Sequence, residues 1–154
     1  MLTDMEKIDH AEKAGELFRA GYNCSQAVLL AFSDVTGLDE SKVAALSSSF
    51  GGGMGRLREV CGAVSGAFMV AGLIWGTYPP SDREAKARHY ERIQNLAAEF
   101  KKKNGSILCR ELLGLPGASA PVPEERTADY YRRRPCEEYV KIAAEILEEE
   151  LENI

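Results

Sequence analysis

The chain has 154 residues, of which 45% are hydrophobic and 28% are charged. These fractions are typical of globular proteins, and the length predicts a single domain over residues 1–154. The formal net charge of −5 argues against general binding to nucleic acid. The first ten residues lack the apolar core of a secretory signal, so we expect a cytoplasmic protein whose thiols stay reduced.

The N-terminal third predicts two helices separated by a turn. Small or apolar residues at 8, 11, 15 and 18 follow helical spacing. Asn23 is a typical N-cap for a second helix, which carries Cys24 on one side. The segment "GGGMG" at 51–55 is expected to be irregular, because consecutive glycines lose much backbone entropy when they are ordered.

A stretch of small and apolar residues occupies positions 60–76. It is shorter than the roughly 20 residues that a transmembrane helix needs, so no membrane span is predicted. A helix that is apolar on every side belongs in the centre of a bundle. Gly62 and Gly66 lie one turn apart, as do Gly72 and Gly76, so each pair would let a neighbouring backbone approach closely. The first pair would also leave room for a cofactor beside the preceding cysteine.

The C-terminal half predicts three helices and one long loop. A capping box at 81–84 starts a long helix, and Ser106 starts a short one. Residues 114–135 are rich in proline and lack periodicity, so they should form a loop. Pro135 should occupy the first position of the last helix. No strand pattern is present, so the predicted fold is all-α, a single-domain helical bundle with a central small-residue helix.

The cysteines are the residues most suited to chemistry, and there are four of them: Cys24, Cys61, Cys109 and Cys136. Their spacing contains no CxxC pair and no zinc-finger pattern. Scattered cysteines of this kind are by default small buried hydrophobic residues. Three of them, however, are predicted at helix N-termini: Cys24, Cys109 and Cys136. Free N–H groups and the helix dipole lower the pKa of a thiol there, which makes it a better nucleophile or metal ligand.

Basic residues precede three of the cysteines and strengthen this interpretation. Lys101–Lys103 stand before Cys109, and Arg110 follows it. Arg132–Arg134 stand before Cys136, and Arg56 and Arg58 stand before Cys61. Because Cys24 and Cys136 each follow a loop, we expect them to be the most accessible thiols. Of the two histidines, His89 lies on a charged helix face and is expected to face solvent.

Four segments of the sequence carry a resemblance to a known family: "GYNCSQAV", "CGAVSG", "CRELLG" and "RPCEEYVKIAAEIL". They resemble the landmarks of the C_GCAxxG_C_C family of redox-active proteins, with Cys61, Gly62, Ala63 and Gly66 matching its CGAxxG motif. The resemblance covers about residues 21–147 and implies a helical protein with a redox function. The chain is also similar to part of the split-Soret cytochromes, which hold an iron–sulfur centre on cysteines. It has no CxxCH motif, so haem is not implied.

Three hypotheses for function remain open. In the first, Cys24, Cys61, Cys109 and Cys136 carry reversible dithiol–disulfide chemistry or electron transfer. In the second, the same four residues ligate a metal centre, above all an iron–sulfur cluster, with Gly62 and Gly66 beside it. In the third, the chain is a non-catalytic helical interaction module. The sequence leaves open the redox partner, the presence of a cofactor, the formation of a homo-oligomer and whether the protein is an enzyme.

Overall fold

Helices form almost all of the regular structure in the computed structural model, which describes residues 8–153. The predicted all-α class is confirmed: within this range there is no β-strand, only an isolated antiparallel bridge between Val60 and Leu108. The helices in chain order are α1 (His10–Arg19), α2 (Cys24–Ala31), α3 (Ser33–Thr36), α4 (Glu40–Ser47), α5 (Gly51–Met54), α6 (Gly62–Trp75), α7 (Arg83–Asn104), α8 (Cys109–Leu113), α9 (Ala128–Arg133) and α10 (Cys136–Glu152). The prediction that the first residues are not a secretory signal rests mostly on residues 1–7, which lie outside the described range.

Helices α2 and α6 pack against each other in the centre of the bundle, with α1 and α10 also packed on α2. Nearly every side chain of α2 is buried, and α6 is buried along its first half. A Cβ on Gly66 would lie 2.9 Å from the carbonyl oxygen of Ser25, and one on Gly62 would lie 3.1 Å from the Ser25 nitrogen. The central small-residue helix is therefore confirmed. The second predicted close approach is wrong, because nothing lies within 4 Å of a Cβ on Gly72.

The buried face of α1 differs from the predicted one, since Ile8 is exposed and His10 is buried. The His10 ring stacks on Phe32 with centroids 4.1 Å apart. Its Nδ1 lies 2.7 Å from a carboxylate oxygen of Glu148, and its Nε2 lies 3.0 Å from Asp34. These contacts turn the helix so that His10 faces inward, and they tie α1 to α3 and α10.

The three predicted helix starts in the C-terminal half all differ from the observed ones. The N-cap of α8 is Leu108 and not Ser106, and the other two predictions are off by one residue. The N-cap of α7 is Asp82, whose carboxylate accepts a hydrogen bond from the Ala85 N–H at 3.0 Å, and no capping box forms on Ser81. Pro135 is the N-cap of α10 and not its first helical residue. Helices α7 and α8 each end at a glycine in the left-handed conformation, Gly105 and Gly114.

The predicted loop over residues 114–135 is only partly correct, because it contains α9. This helix begins after Thr127, whose side chain accepts a hydrogen bond from the Tyr130 N–H at 3.1 Å. A helix of six residues is too short to produce a recognisable hydrophobic period, so only its cap could have indicated it.

The glycine-rich segment has an irregular backbone, as predicted. Gly52 and Gly53 adopt left-handed conformations inside the short turn α5. The left-handed region continues at Met54, Arg56 and Arg58, with φ between +62° and +70°. Such conformations cost about 1–3 kcal/mol each at residues other than glycine, so the surrounding structure must hold them in place. This segment leads directly into the cysteine site.

None of the described helices has the length and apolar character needed to cross a membrane.

Candidate functional site

All four cysteines line one cavity of about 280 Å³. Their positions span more than a hundred residues of sequence, so the fold and not local spacing brings them together. All four lie within the described part of the chain and are free thiols. They are also buried, with exposed fractions of 5–9%. The expectation that Cys24 and Cys136 are accessible is therefore wrong, although they are the two least buried.

Each cysteine stands at the N-terminus of a helix. Cys24, Cys109 and Cys136 are the first residues of α2, α8 and α10. The prediction that these three lie at helix N-termini is therefore confirmed. Cys61 is the N-cap of α6, which adds a fourth helix terminus. The sulfurs therefore share a cavity that is lined by four helix N-termini, the positive ends of the helix dipoles.

The isolated bridge fixes Cys61 and Cys109 on one wall of the cavity. The Cys61 N–H donates to the Ile107 carbonyl at 2.8 Å, and the Cys109 N–H donates to the Glu59 carbonyl at 2.6 Å. The two cysteines are thus diagonal neighbours across this bridge. A single bridge leaves no strand pattern, so the sequence could not predict this proximity.

Cys24 and Cys136 form a facing pair on the other side of the cavity. The two thiols are close enough to influence each other's protonation. The interaction with Cys136 raises the pKa of Cys24, and burial raises it further. The interaction with Cys24 lowers the pKa of Cys136 despite its burial, with added attraction from Arg134 and Arg126. The pair therefore favours a thiolate on Cys136 and a retained proton on Cys24.

The sequence predicted that helix N-termini lower the pKa of these thiols. The pKa of Cys136 is lowered, but by Cys24 and by nearby arginines and not by backbone N–H groups, and for Cys24 the predicted lowering is wrong. Cys61 shows how burial opposes the effect of a helix N-terminus. The N–H groups of Ala63 and Val64 act to lower its pKa, yet burial outweighs them and raises the value to about 12. Desolvation of the charged form is the larger effect in this cavity.

Arginine side chains dominate the charge of the cavity wall. Four of them line it, together with a single carboxylate: Arg56, Arg58, Arg126, Arg134 and Glu124. Arg58 is only 4% exposed. Its Nε donates to the Ser119 hydroxyl at 2.9 Å, and its Nη1 lies 3.5 Å from the Cys109 sulfur.

Arg126 is the site residue that sequence reasoning missed. Its guanidinium lies over the Phe18 ring, 4.2 Å from the centroid. Its two terminal nitrogens donate to the carbonyls of Phe18 and Tyr22 at 2.7 and 2.9 Å. The surrounding loop has no periodicity, so no local signal marked this residue. Of the predicted basic run, Arg134 reaches the cavity, whereas Arg132 pairs with Asp129 on the surface.

The two motif glycines have different surroundings. Gly62 lines the cavity, and a Cβ on it would lie 3.1 Å from the Cys24 Cβ. Gly66 packs against the backbone of α2. Another glycine, Gly53, combines a φ of +68° with a close approach, because a Cβ there would lie 2.6 Å from that of Cys109.

The thiols do not form a ready site for a single metal ion. Across residues 8–153, no three histidine, cysteine, aspartate or glutamate side chains stand together in a way that could hold one ion. The donor set of four thiols around one cavity suits only a larger centre, in which each cysteine ligates a different part of a cluster.

The family model described as "Putative redox-active protein (C_GCAxxG_C_C)" matches residues 22–150, a range that includes all four cysteines. No curated protein and no solved structure matches the chain significantly. The similarity to the split-Soret cytochromes therefore stays a prediction.

Proposed function

Because the chain belongs to the C_GCAxxG_C_C family of redox-active proteins, we propose that Cys24 and Cys136 cycle between a dithiol and a disulfide. The observation that carries this proposal is the facing pair, in which one thiol has a raised pKa and the other a lowered pKa. Thiol–disulfide exchange needs one sulfur as thiolate and a second cysteine within reach. The Cys24–Cys136 pair supplies both.

Cys136 is the attacking sulfur in this proposal, and Cys24 is the resolving one. The Cys136 thiolate attacks a disulfide of the oxidised partner, forms a mixed disulfide and releases the first partner thiolate. Cys24 then attacks the Cys136 sulfur, closes the protein disulfide and releases the second partner thiol, and its proton leaves with that thiol. Two electrons pass from the protein to the partner. Cys61 and Cys109 face the same cavity and complete its set of sulfurs.

Disulfide mapping of the oxidised protein tests this proposal. Reduced protein is treated with diamide, a small neutral oxidant of thiols, its free thiols are counted, and the linked peptides are identified by mass. We expect two fewer free thiols and a Cys24–Cys136 link, reversible on reduction. Cys24→Ser and Cys136→Ser should abolish the link, whereas Cys61→Ser and Cys109→Ser serve as matched controls that keep it. No loss of thiols, or a link between other cysteines, would contradict the proposal.

An iron–sulfur centre is the second candidate, favoured by the convergence of four helix-terminal cysteines on one cavity. Cys24, Cys61, Cys109 and Cys136 would hold the centre, and backbone N–H groups beside the sulfurs would tune its potential. Gly62 would lie against it. Such a centre would supply one-electron transfer. The interaction-module hypothesis has less support, because it leaves the clustering of the four thiols unexplained.

Anaerobic reconstitution with iron and sulfide separates the two candidates. The thiol–disulfide proposal predicts no stoichiometric uptake of iron and a reversible change in free thiols. A stoichiometric iron–sulfur absorption spectrum, lost in each of the four cysteine-to-serine variants, would instead establish the second candidate.

A further inference from the structure

The cavity carries more positive charge than its own side chains neutralise. Its lining includes four guanidinium groups and one carboxylate, that of Glu124. Glu124 is engaged by Arg134, at 2.9 Å. Among the described residues, no carboxylate lies within ion-pair distance of Arg58 or Arg126. These two arginines donate hydrogen bonds to a hydroxyl, to carbonyl groups and to a sulfur. None of these acceptors, with the sulfur as a neutral thiol, carries a negative charge that would balance the guanidinium groups.

Burial makes this imbalance of charge costly. A guanidinium that is 4% exposed, as Arg58 is, has lost most of its hydration. A buried charge is stable only when it is paired, and a Cys136 thiolate offsets one positive charge only. The remaining charge is positioned to attract a negatively charged ligand to the sulfurs.

The burial of the thiols limits the size of that ligand. Cys136 is 9% exposed, so the disulfide of a folded protein would not reach its sulfur without a large rearrangement. The volume of about 280 Å³ lies near the lower end of the range for ligand pockets, about 300–1,000 Å³. The geometry suits a small molecule that enters the cavity.

We propose that the oxidised partner is a small disulfide bearing carboxylate or sulfonate groups, which Arg58 and Arg126 bind beside Cys136. This inference rests on the proposed thiol–disulfide function. The Cys136 thiolate attacks one sulfur of the small disulfide, the S–S bond breaks, and one anionic thiolate leaves. Cys24 then displaces the second thiolate from Cys136 and gives up its proton. The products are the Cys24–Cys136 disulfide and two molecules of the reduced small thiol.

Three small disulfides of similar size and different charge test the inference: 3,3′-dithiodipropionate, bis(2-hydroxyethyl) disulfide and cystamine, which are anionic, neutral and cationic. The rate of Cys24–Cys136 disulfide formation in the folded protein is measured with each compound. Each rate is divided by the rate at which the same compound reacts with the urea-unfolded chain, which corrects for the intrinsic reactivity of the compound. We expect the anionic disulfide to react at least about tenfold faster than the neutral one, and the cationic one to be slowest. Added salt should reduce the preference only partly, because buried charges are weakly screened.

Arginine variants test which side chains cause the preference for the anionic disulfide. Arg126→Gln and Arg58→Gln should each reduce the rate ratio of anionic to neutral disulfide by about tenfold. Arg132→Gln is the matched control, because that side chain is 79% exposed and pairs with Asp129 away from the cavity. It should leave the ratio unchanged. Arg126→Gln keeps the test decisive if the Arg58 variant does not fold, as judged by circular dichroism.

The outcomes distinguish the two proposals. A Cys24–Cys136 disulfide that forms equally fast with all three compounds would overturn the anionic ligand and leave the thiol–disulfide function intact. A preference that survives both cavity variants would also overturn the assignment to Arg58 and Arg126. Folded protein that reacts with none of the three compounds, and not with diamide, would overturn the proposed function itself.

Discussion

At the scale of single residues, the chemistry of each thiol depends more on its neighbours than on its position in a helix. Cys24 and Cys136 are both first residues of helices, yet their pKa values move in opposite directions. The difference arises from the interaction between the two thiols and from the nearby charge of Arg134 and Arg126. The sequence could predict the helix termini from Asn23 and Pro135. It could not predict burial or the pairing of two distant thiols, because neither has a local signal.

The lowered pKa of Cys136 predicts its reactivity with pH. A thiol with a lowered pKa becomes a thiolate at lower pH, so alkylation of Cys136 should rise with a midpoint below the value of about 8.5 for an unperturbed cysteine. Iodoacetamide labelling followed by peptide mass mapping measures this midpoint. Cys61, whose pKa is about 12, should stay unlabelled at pH 7. Removal of the neighbouring charge in Arg134→Gln should raise the Cys136 midpoint.

Arg132→Gln is the control for the alkylation experiment, since its side chain points into solvent and should leave the midpoint unchanged. Preferential labelling of Cys24 over Cys136 would contradict the assignment of the thiolate.

At the scale of helices, the features with strong local signals were predictable, and those made by long-range contacts were not. The Asn23 capping box, the left-handed Gly114 and the apolar α6 were all readable from a few adjacent residues. The bridge that brings Cys109 beside Cys61 depends on segments almost fifty residues apart. The orientation of α1 likewise depends on contacts outside that helix.

The packing of α6 against α2 predicts opposite effects for two glycine substitutions in the same helix. A methyl group at Gly66 would meet backbone atoms of Ser25, so Gly66→Ala should destabilise the protein by about 1–3 kcal/mol. Gly72→Ala is the matched control, because nothing lies within 4 Å and alanine is the better helix former. It should be neutral or stabilise by up to about 1 kcal/mol. Urea unfolding followed by circular dichroism measures both, and equal effects would contradict the close approach.

At the scale of the whole molecule, the candidate site exists only when the bundle is assembled. Its sulfurs come from the starts of α2, α6, α8 and α10, and the loop over residues 114–127 adds part of the wall. Because α10 packs along α1 and α2, the position of Cys136 opposite Cys24 depends on contacts far from the cavity. A change in that packing should therefore affect both the stability of the fold and the burial of the thiols.

His10 provides the sharpest test of this dependence. Its buried ring joins α1 to Asp34 and to Glu148 of α10, and it stacks on Phe32. His10→Ala removes these contacts and leaves a gap, so it should reduce the free energy of unfolding by about 2–3 kcal/mol. The loosened α1–α10 contact should also speed the labelling of Cys136 by iodoacetamide.

The other histidine is the matched control. His89 is half-buried on α7 rather than solvent-facing as the sequence suggested, and its ring centroid lies 6.0 Å from that of Tyr78. It makes no hydrogen bond through Nδ1 to any described residue. His89→Ala should change the stability by no more than about 0.5–1 kcal/mol, since alanine is also the better helix former, and should leave the labelling rate unchanged. If the two variants behaved alike, the His10 contacts would not be what holds α1 and α10 in place around the thiol pair.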